Sequence, residues 1–183
     1  FVVECSSFRL AFTPSFRADA AAWLNLQPDH LNWHRSMGSY EQAKSQIFAN
    51  QRSSDVAIGN IADAAVMRHA EAVPGRTITV GLAEGDYRCR GDELIGPNGP
   101  IAQTSQMGRA LPHDLTNALT AAALVLETGL ATAADVAAAL TTFEAPAHRI
   151  ERLADIDGVE WYNDSKATTP HAAAAAIRSF DNI

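Results

Sequence analysis

Short apolar segments alternate with helix-like segments along this chain, and no other feature limits the possible fold as much. Segments with the length and composition of buried strands occupy 2–5, 19–26, 55–59 and 77–81. Patterns typical of helices occupy 39–50, 61–71, 115–127, 132–142 and 171–179. Because parallel strands must be joined by a crossover, usually a helix, the alternation predicts an α/β fold with a mostly parallel sheet.

Local signals predict where two of these helices begin. Ser39 is a candidate N-cap because Gln42 lies three residues further on, as in a capping box. Thr132 is a candidate N-cap for the later helix.

Turn residues predict antiparallel hairpins in two other places. The first region has short strand patterns at 87–90, 93–95 and 101–106, separated by glycine-containing turns. In the second, Asp157-Gly158 lies between apolar segments and is the turn pair of a two-residue hairpin. A polar linker at 144–149 precedes that hairpin. We therefore predict one domain at 1–145 and the start of another at 146–183.

Charge and hydropathy argue against two classes of partner. The net charge is −7, and Lys and Arg form no block, whereas nucleic-acid surfaces need clustered cations. No apolar run approaches the roughly 18 residues that cross a bilayer. We therefore expect neither nucleic-acid binding nor a membrane span.

The two cysteines indicate a reducing compartment. Cys5 and Cys89 are far apart, and neither belongs to a CxxC or Cys/His cluster. This favours buried free thiols over a disulfide framework or a zinc knuckle, so we expect a cytoplasmic protein. The chain starts at Phe1 in what resembles the middle of a strand and stops just after a helix. We expect a segment of a longer protein.

The densest polar chemistry lies at 162–170, between a strand pattern and an alanine-rich helix. Within six residues, 164–169, this loop offers a carboxylate, an ammonium group and three hydroxyls. A strand, a polar loop and a helix N-terminus form the arrangement that places ligands at the carboxyl edge of an α/β sheet. The loop is a candidate functional site, with a capped helix start as the simpler alternative.

Two other strand ends carry groups that could hold a metal ion. Glu4 lies at the end of the first strand pattern and His30 follows the second. A carboxylate suits Mg²⁺, which prefers oxygen ligands and keeps several waters. A solvated acid and a surface histidine are the alternatives. The presence of both groups at one sheet edge favours a site.

The pattern alone leaves further residues ambiguous. Lys44 lies within a predicted helix, where a lysine usually faces solvent. His113 and Asn117 lie one turn apart at a helix start, which suits an anion or base site but also a simple cap by Asp114. Arg149, in the linker, has the planar fork that suits phosphate, although an exposed salt bridge would explain it as well.

Five segments resemble motifs of the Mur ligases and follow the order of that family. The segments are 4–10 (ECSSFRL), 29–44 (DH…YEQAK), 112–118 (PHDLTNA), 146–151 (PAHRIE) and 163–168 (NDSKAT). The family motifs are ELSSFQL, DH…Y…AK, GxHNxxNALAA, LPHRxE and NDSKATN. Because the segments cover nearly the whole chain, the resemblance is specific.

The resemblance implies the latter part of the central ATPase domain of a three-domain amide ligase, followed by the start of a Rossmann-like C-terminal domain. The first segment is most similar to the member that adds D-glutamate to UDP-N-acetylmuramoyl-L-alanine in peptidoglycan synthesis. In such an enzyme ATP phosphorylates a carboxylate, and the amine of D-glutamate attacks the acyl phosphate. A sister ligase, a folylpolyglutamate synthetase or a non-catalytic folded module remains an alternative. We expect a monomer acting on these small molecules.

The resemblance also implies roles for individual residues. Glu4 is the implied ligand of a first Mg²⁺, and His30 and Lys44, with Lys44 as a carbamate, are the implied ligands of a second. The implied ATP-binding residues are Asn117, Arg149, Asp164 and Lys166. The implied substrate contacts are Ser6, His30 and Thr168, and the implied catalytic residues are His30, Lys44 and Lys166.

The chain departs from the family pattern at several points. Asp114 and Thr169 stand where the family usually has Asn. An extra carboxylate near ATP would repel phosphate unless it binds a metal or caps the helix. The chain contains no GxxxxGK[ST] phosphate loop. The resemblance therefore implies a segment without the N-terminal domain, the phosphate loop and most of the C-terminal domain, and we expect that segment to be inactive by itself.

Overall fold

Three parallel strands form the centre of the structure, a computed structural model that describes residues 1–183. The strands are β1 (Ala20–Trp23), β2 (Val56–Asn60) and β3 (Arg76–Val80), in the spatial order β1-β2-β3. Ala57 of β2 lies beside Ala21 of β1 and Thr77 of β3. The middle strand is buried along most of its length, as expected for a parallel strand covered on both faces. The predicted α/β fold with a parallel sheet is confirmed.

Helices follow the strands as the alternation predicted. They are α1 (Ser7–Leu10), α2 (Met37–Ser45), α3 (Ala64–Ala70), α4 (Pro112–Glu127), α5 (Ala133–Thr142) and α6 (Pro170–Ile177). The hydroxyl of Thr132 accepts a hydrogen bond from the amide of Asp135, so its predicted role as N-cap is confirmed. The predicted N-cap Ser39 is wrong, because α2 begins earlier and Ser36 caps it. Ser39 is instead the third helical residue of the capping box, and its hydroxyl oxygen accepts a hydrogen bond from the amide of Ser36.

Both predicted hairpin regions are antiparallel. Strands β4 (Arg88–Arg90), β5 (Glu93–Gly96) and β6 (Gly99–Gln103) form one sheet, and a 3₁₀ turn at Thr104–Gln106 follows. Strands β7 (Glu151–Ile156) and β8 (Val159–Asn163) form the other. Between β7 and β8, Asp157 and Gly158 have φ of 53° and 80°. Positive φ at both central residues is what a type I′ hairpin turn requires.

The strand predicted at 2–5 is wrong. These residues pair with no strand, and the side chains of Phe1, Val2 and Val3 are exposed. A strand is stable only when its backbone groups bond to a neighbour, and apolar composition alone cannot supply one. The helix α1 begins directly after this segment, with Ser6 as its N-cap.

The sheet buries two apolar clusters, one on each face. The larger contains Val56 and Ile58 of β2 together with Leu119 of α4. The smaller contains Trp23 of β1 and Val66 of α3. The alternation of side chains along each strand therefore places α4 on one face and α3 on the other.

The hairpin of β7 and β8 is more exposed to solvent than the parallel sheet. Strand β8 pairs with β7 alone and not with the parallel sheet, and Leu153, Val159 and Trp161 are exposed. The division into domains at 1–145 and 146–183 stays a prediction. None of the helices has the length and apolar character needed to cross a membrane.

Leu119 provides a test of the packing between α4 and the sheet. Its side chain is fully buried, so Leu119→Ala should lower the free energy of unfolding by about 2–5 kcal/mol through lost burial and a residual cavity. The measurement is urea denaturation followed by circular dichroism. Leu130→Ala is the matched control, because that leucine is exposed and should change stability by at most about 0.5 kcal/mol. Equal effects of the two variants would contradict the assigned packing.

Candidate active site

A polar pocket lies where the carboxyl ends of β1 and β2 meet the first turn of α4. Its volume is about 210 Å³. It is lined by Leu24, Asn25, Asn60, His113, Thr116 and Asn117. Such a position, at the carboxyl edge of a parallel sheet, is where α/β proteins place ligands. One apolar side chain and several amide and hydroxyl groups could contact both the face and the edge of a planar polar ligand.

Of these lining residues, the sequence predicted His113 and Asn117 as a pair. The structure brings both to the pocket from one face of α4. Asn25 and Asn60 were missed, although each has a signal in the sequence. Asn60 is the final residue of β2, and Asn25 follows β1 by two positions, so polar side chains mark both strand ends.

Asp114 does not face the pocket as a free carboxylate. It accepts two hydrogen bonds from Arg109, from Nε at 2.7 Å and from a terminal nitrogen at 2.8 Å. It also accepts from the backbone amide of Leu111, at 3.1 Å, which caps α4. The ion pair raises the pKa of Arg109, so the guanidinium stays charged. The simple cap therefore applies to Asp114, and Arg109 neutralises its charge.

Lys44, in the last turn of α2, is held between two aromatic rings. Its Nζ lies 5.9 Å from the ring centre of Trp23 and 5.6 Å from that of Tyr40. Burial lowers the pKa of Lys44, an effect partly opposed by the negative charge of Asp29. The structure therefore contradicts the interpretation of a solvated lysine on a helix face, and the amine is closer to its neutral, nucleophilic form than a free lysine.

His30 shares Tyr40 with Lys44. Its ring centre lies 6.1 Å from that of Tyr40 and 4.8 Å from that of Phe8. The residue has φ of 55°, and its amide donates to the carboxylate of Asp29 at 2.6 Å. His30 and Lys44, which the resemblance assigns to one metal site, are therefore both neighbours of the Tyr40 ring.

A buried hydrogen-bonded pair, His34 and Ser7, lies close to His30. His34 and Ser7 are both almost completely buried, and the Nε2 of His34 lies 2.9 Å from the hydroxyl oxygen of Ser7. Burial lowers the pKa of His34, and the charge of His30 lowers it further. The backbone amide of His34 donates to the carbonyl of His30. This pair, which sequence reasoning missed, fixes α1 against the loop that carries His30.

Glu4 and Ser6 line a second, more open pocket of about 510 Å³ together with Val2, Val3 and Arg9. The hydroxyl of Ser6 accepts from the amide of Arg9 at 3.3 Å, so it caps α1. Across residues 1–183, no three His, Cys, Asp or Glu side chains lie together in a way that could hold a metal ion. The structure thus does not gather Glu4 with other acidic or histidine ligands.

The remaining candidates lie in the linker and in the loop after β8. The carboxylate of Asp164 accepts from the amide of Ile150 at 3.2 Å. The amide of Lys166 donates to the carbonyl of His148 at 3.1 Å. The side chains of Arg149, Lys166 and Thr168 are exposed. The structure therefore brings this loop to the linker, while its cationic side chains remain free to meet a ligand.

Comparison with known proteins identifies related chains. Residues 1–125 match the family described as the Mur ligase middle domain. The UDP-N-acetylmuramoylalanine–D-glutamate ligase of Frankia casuarinae is 40% identical over 190 residues, which cover 99% of this chain and 40% of that protein. The ligase of the same name from Streptomyces coelicolor is 36% identical, over 99% of this chain and 41% of its own. This chain thus spans about two fifths of the length of these curated relatives.

Solved structures share the fold. The MurF of Acinetobacter baumannii superposes with a TM-score of 0.76 at 20% identity, over 94% of this chain and 39% of that one. The MurF ligase of Thermotoga maritima in complex with ADP superposes with a TM-score of 0.71 at 15% identity, over 93% of this chain and 41% of that one. At these identities the likeness concerns the fold alone.

The lowered pKa of Lys44 predicts a specific dependence of stability on pH. The folded chain releases the Lys44 proton at a lower pH than the unfolded chain does. In the window between the two pKa values the unfolded state binds more protons, so the free energy of unfolding rises with pH. Lys44→Met removes this contribution. The difference in stability between wild type and Lys44→Met, from urea denaturation in carbon-dioxide-free buffer, should therefore rise with pH across that window. A difference that does not change with pH would contradict the burial of the amine.

Proposed function

The chain belongs to the Mur ligase family, and from this premise we propose that it takes part in the ATP-dependent addition of D-glutamate to UDP-N-acetylmuramoyl-L-alanine, a step of peptidoglycan biosynthesis. The choice of D-glutamate is supported by the relatives named for that reaction, which match 99% of this chain at 36–40% identity. The structural observation that carries the proposal is the half-buried Lys44, which shares the neighbour Tyr40 with His30. We propose that the protein acts in the cytoplasm, as a monomer, on small-molecule substrates.

The reaction joins a carboxylate to an amine, with ATP as the source of the driving force. ATP transfers its terminal phosphoryl group to the carboxylate of the UDP-linked substrate, and ADP leaves. The amine of D-glutamate attacks the acyl phosphate, and the tetrahedral adduct collapses with loss of phosphate and a proton. Positioning and cations around the developing negative charge supply most of the rate in phosphoryl transfer.

The pocket at the start of α4 suits the base of ATP. The amides of Asn25, Asn60 and Asn117 can both donate and accept hydrogen bonds, which matches the edge of an adenine ring. Leu24 offers an apolar contact to the face of the ring. The neutralisation of Asp114 by Arg109 removes the repulsion that a free carboxylate would exert on the phosphates.

Lys44 suits conversion to a carbamate. The ammonium group first loses one proton; the neutral amine then attacks carbon dioxide and releases a second, so a cation becomes an anion with two oxygen atoms. The burial that lowers the pKa of Lys44 favours the neutral amine that this reaction needs. Carbamate oxygens are the hard ligands that Mg²⁺ prefers, whereas a protonated amine would repel it.

We propose that Glu4 holds a first Mg²⁺, and that His30 and the carbamate of Lys44 hold a second, near the phosphates of ATP. Mg²⁺ typically uses one or two carboxylates plus substrate phosphates and water, so a ready cluster of three acidic or histidine side chains is not required. When bound, Mg²⁺ would offset negative charge on the transferring phosphoryl group. Lys166, as the third catalytic residue, would place a further cation there.

The remaining roles follow from the linker and the loop after β8. Arg149, Asp164 and Lys166 are proposed to contact the ribose and phosphates of ATP. Ser6 and Thr168 are proposed to contact the UDP-linked substrate and D-glutamate. The exposed side chains of Arg149 and Thr168 are consistent with such contacts.

A chimeric enzyme tests the substrate choice. Residues 1–183 would replace the matched segment of the Frankia casuarinae ligase, which is 40% identical. We expect phosphate release that requires ATP, UDP-N-acetylmuramoyl-L-alanine and D-glutamate. L-Glutamate, L-lysine and diaminopimelate should give only background release. A preference for one of these other amino acids would refute the proposed substrate.

The same chimera tests the pocket at the start of α4. Asn117→Ala should raise the KM for ATP.

Labelling with ¹³C-bicarbonate tests the carbamate. The chain has only two lysines, Lys44 and Lys166, so a carbamate signal in the ¹³C spectrum is easily assigned. We expect one lysine carbamate, in the presence of Mg²⁺, that disappears in Lys44→Arg and persists in Lys166→Arg. The exposed Lys166 is thus the matched control. A signal that survives Lys44→Arg would show that the modified amine is elsewhere.

A further inference from the structure

Arg109 spans two parts of the chain that are far apart in sequence. It lies three residues before α4, and its side chain is only 22% exposed. Nε and one terminal nitrogen of its guanidinium donate to the two carboxylate oxygens of Asp114, in the first turn of α4. Such a bidentate pair fixes the plane of the guanidinium as well as its position.

The other terminal nitrogen of Arg109 points to the linker. It donates to the carbonyl oxygen of Arg149 at 2.6 Å and to that of Ile150 at 2.9 Å. One side chain thus ties the helix that lines the polar pocket to the segment that precedes β7. A lysine at this position would have a compact ammonium group without the fixed fork that makes both sets of contacts at once.

The backbone at 148–150, where the linker ends, needs such support because it is strained. His148 has φ of 67° and Ile150 has φ of 47°. Positive φ is uncommon for any residue other than glycine, and it is a genuine outlier for a β-branched one such as Ile150. Strained conformations persist only where the surrounding contacts hold them.

The strained linker in turn holds the loop after β8. The amide of Ile150 donates to the carboxylate of Asp164, and the carbonyl of His148 accepts from the amide of Lys166. If Ile150 returned to negative φ, its amide would turn away from Asp164. The position of this loop relative to α4 therefore depends on the backbone conformation that Arg109 stabilises.

We propose that Arg109, anchored by Asp114, is a positioning residue that holds the linker at 148–150 and thereby aligns the loop at 164–168 with the pocket at the start of α4. We call the contacts of Arg109 with Asp114 and with the carbonyl oxygens of Arg149 and Ile150 the clamp. These contacts are present in the structure whatever the protein's function. The use of the clamp in catalysis rests on the proposed function, because only then do Asp164 and Lys166 meet a nucleotide.

Asp114 has a chemical reason to accompany Arg109. An asparagine offers a single side-chain oxygen, so it can accept the bond from the amide of Leu111 but cannot form the two-oxygen pair with a guanidinium. The carboxylate does both at once, with distances of 2.7 and 2.8 Å to Arg109. The departure of this chain from the usual asparagine thus belongs to the clamp.

Amide hydrogen exchange of residues 1–183, followed by NMR, tests the clamp directly. Arg109→Ala should accelerate exchange at the amides of Ile150 and Lys166 at least about tenfold, because the opened linker exposes both. Amides of β2 and β3 should keep their exchange rates, which shows that the fold is intact. Unchanged rates at Ile150 and Lys166 in the folded variant would overturn the proposal.

Two further variants separate the clamp from a general effect of charge. Asp114→Asn keeps the cap on Leu111 but weakens the anchor of Arg109, so we expect a smaller acceleration at the same two amides. This variant also keeps the test open if Arg109→Ala fails to fold. Arg90→Ala removes an exposed ion pair with Glu93 and changes the net charge equally, so it should leave both amides unchanged. Acceleration by Arg90→Ala as large as that by Arg109→Ala would refute a specific clamp.

Arg149→Ala distinguishes the clamp from the proposed function. This variant keeps the backbone carbonyl that Arg109 binds, so exchange at Ile150 and Lys166 should stay slow. In the chimera, Arg149→Ala should raise the KM for ATP alone. Arg109→Ala should raise that KM too, because it leaves the Asp114 carboxylate uncompensated, and it should in addition lower kcat. A chimera without activity would count against the proposed function and leave the exchange result standing. A normal kcat in the Arg109→Ala chimera would overturn the positioning role.

Discussion

The contact between α4 and the parallel sheet is the interaction on which the rest of the structure depends. Small side chains at Ala118, Ala122 and Ala123 allow the helix to lie close to the strands, and Leu119 fills the space between them. Close packing of this kind leaves little freedom in the position of a helix. Because α4 is fixed, its first two turns stay at the carboxyl ends of β1 and β2, where Asn117 lines the pocket. Arg109 pairs with Asp114 in the first turn of this helix and donates to backbone carbonyls at 149–150, so it connects the helix to the end of the linker.

The surroundings of Lys44 oppose the usual preference of a lysine for water. Burial of a charged amine costs free energy, and two aromatic faces offset only part of that cost. The same burial lowers the pKa of Lys44 and so favours the neutral amine, which is the form that reacts with carbon dioxide. The proposed carbamate would therefore give a chemical reason for a lysine whose burial is unfavourable to stability. Trp23 ends β1 and its ring also lies beside Lys44, so in the proposed site the same residue would serve the fold and the chemistry.

Local patterns in the sequence were sufficient for much of the fold. The alternation of strands and helices, the cap at Thr132 and the turn at Asp157-Gly158 depend on neighbours within a few residues, and all three are present. The strand at 2–5 was wrong because a strand depends on a partner that no local pattern specifies. The cap at Ser39 was wrong because Ser36, which offers the same hydroxyl three residues earlier, already begins the helix.

The candidate site was less predictable, because its contacts join distant parts of the chain. Resemblance to a family pointed to Lys44, but the aromatic walls of Trp23 and Tyr40 follow from the folded structure alone. For Arg109 the sequence held one indirect signal, the carboxylate at Asp114 where an amide is usual. If the pocket binds ATP as proposed, a free carboxylate at this position would repel the phosphates unless it bound a metal, capped the helix or paired with a cation. The guanidinium of Arg109 is such a cation. It has five N–H donors, so while it pairs with Asp114 it also donates to the carbonyl oxygens of Arg149 and Ile150.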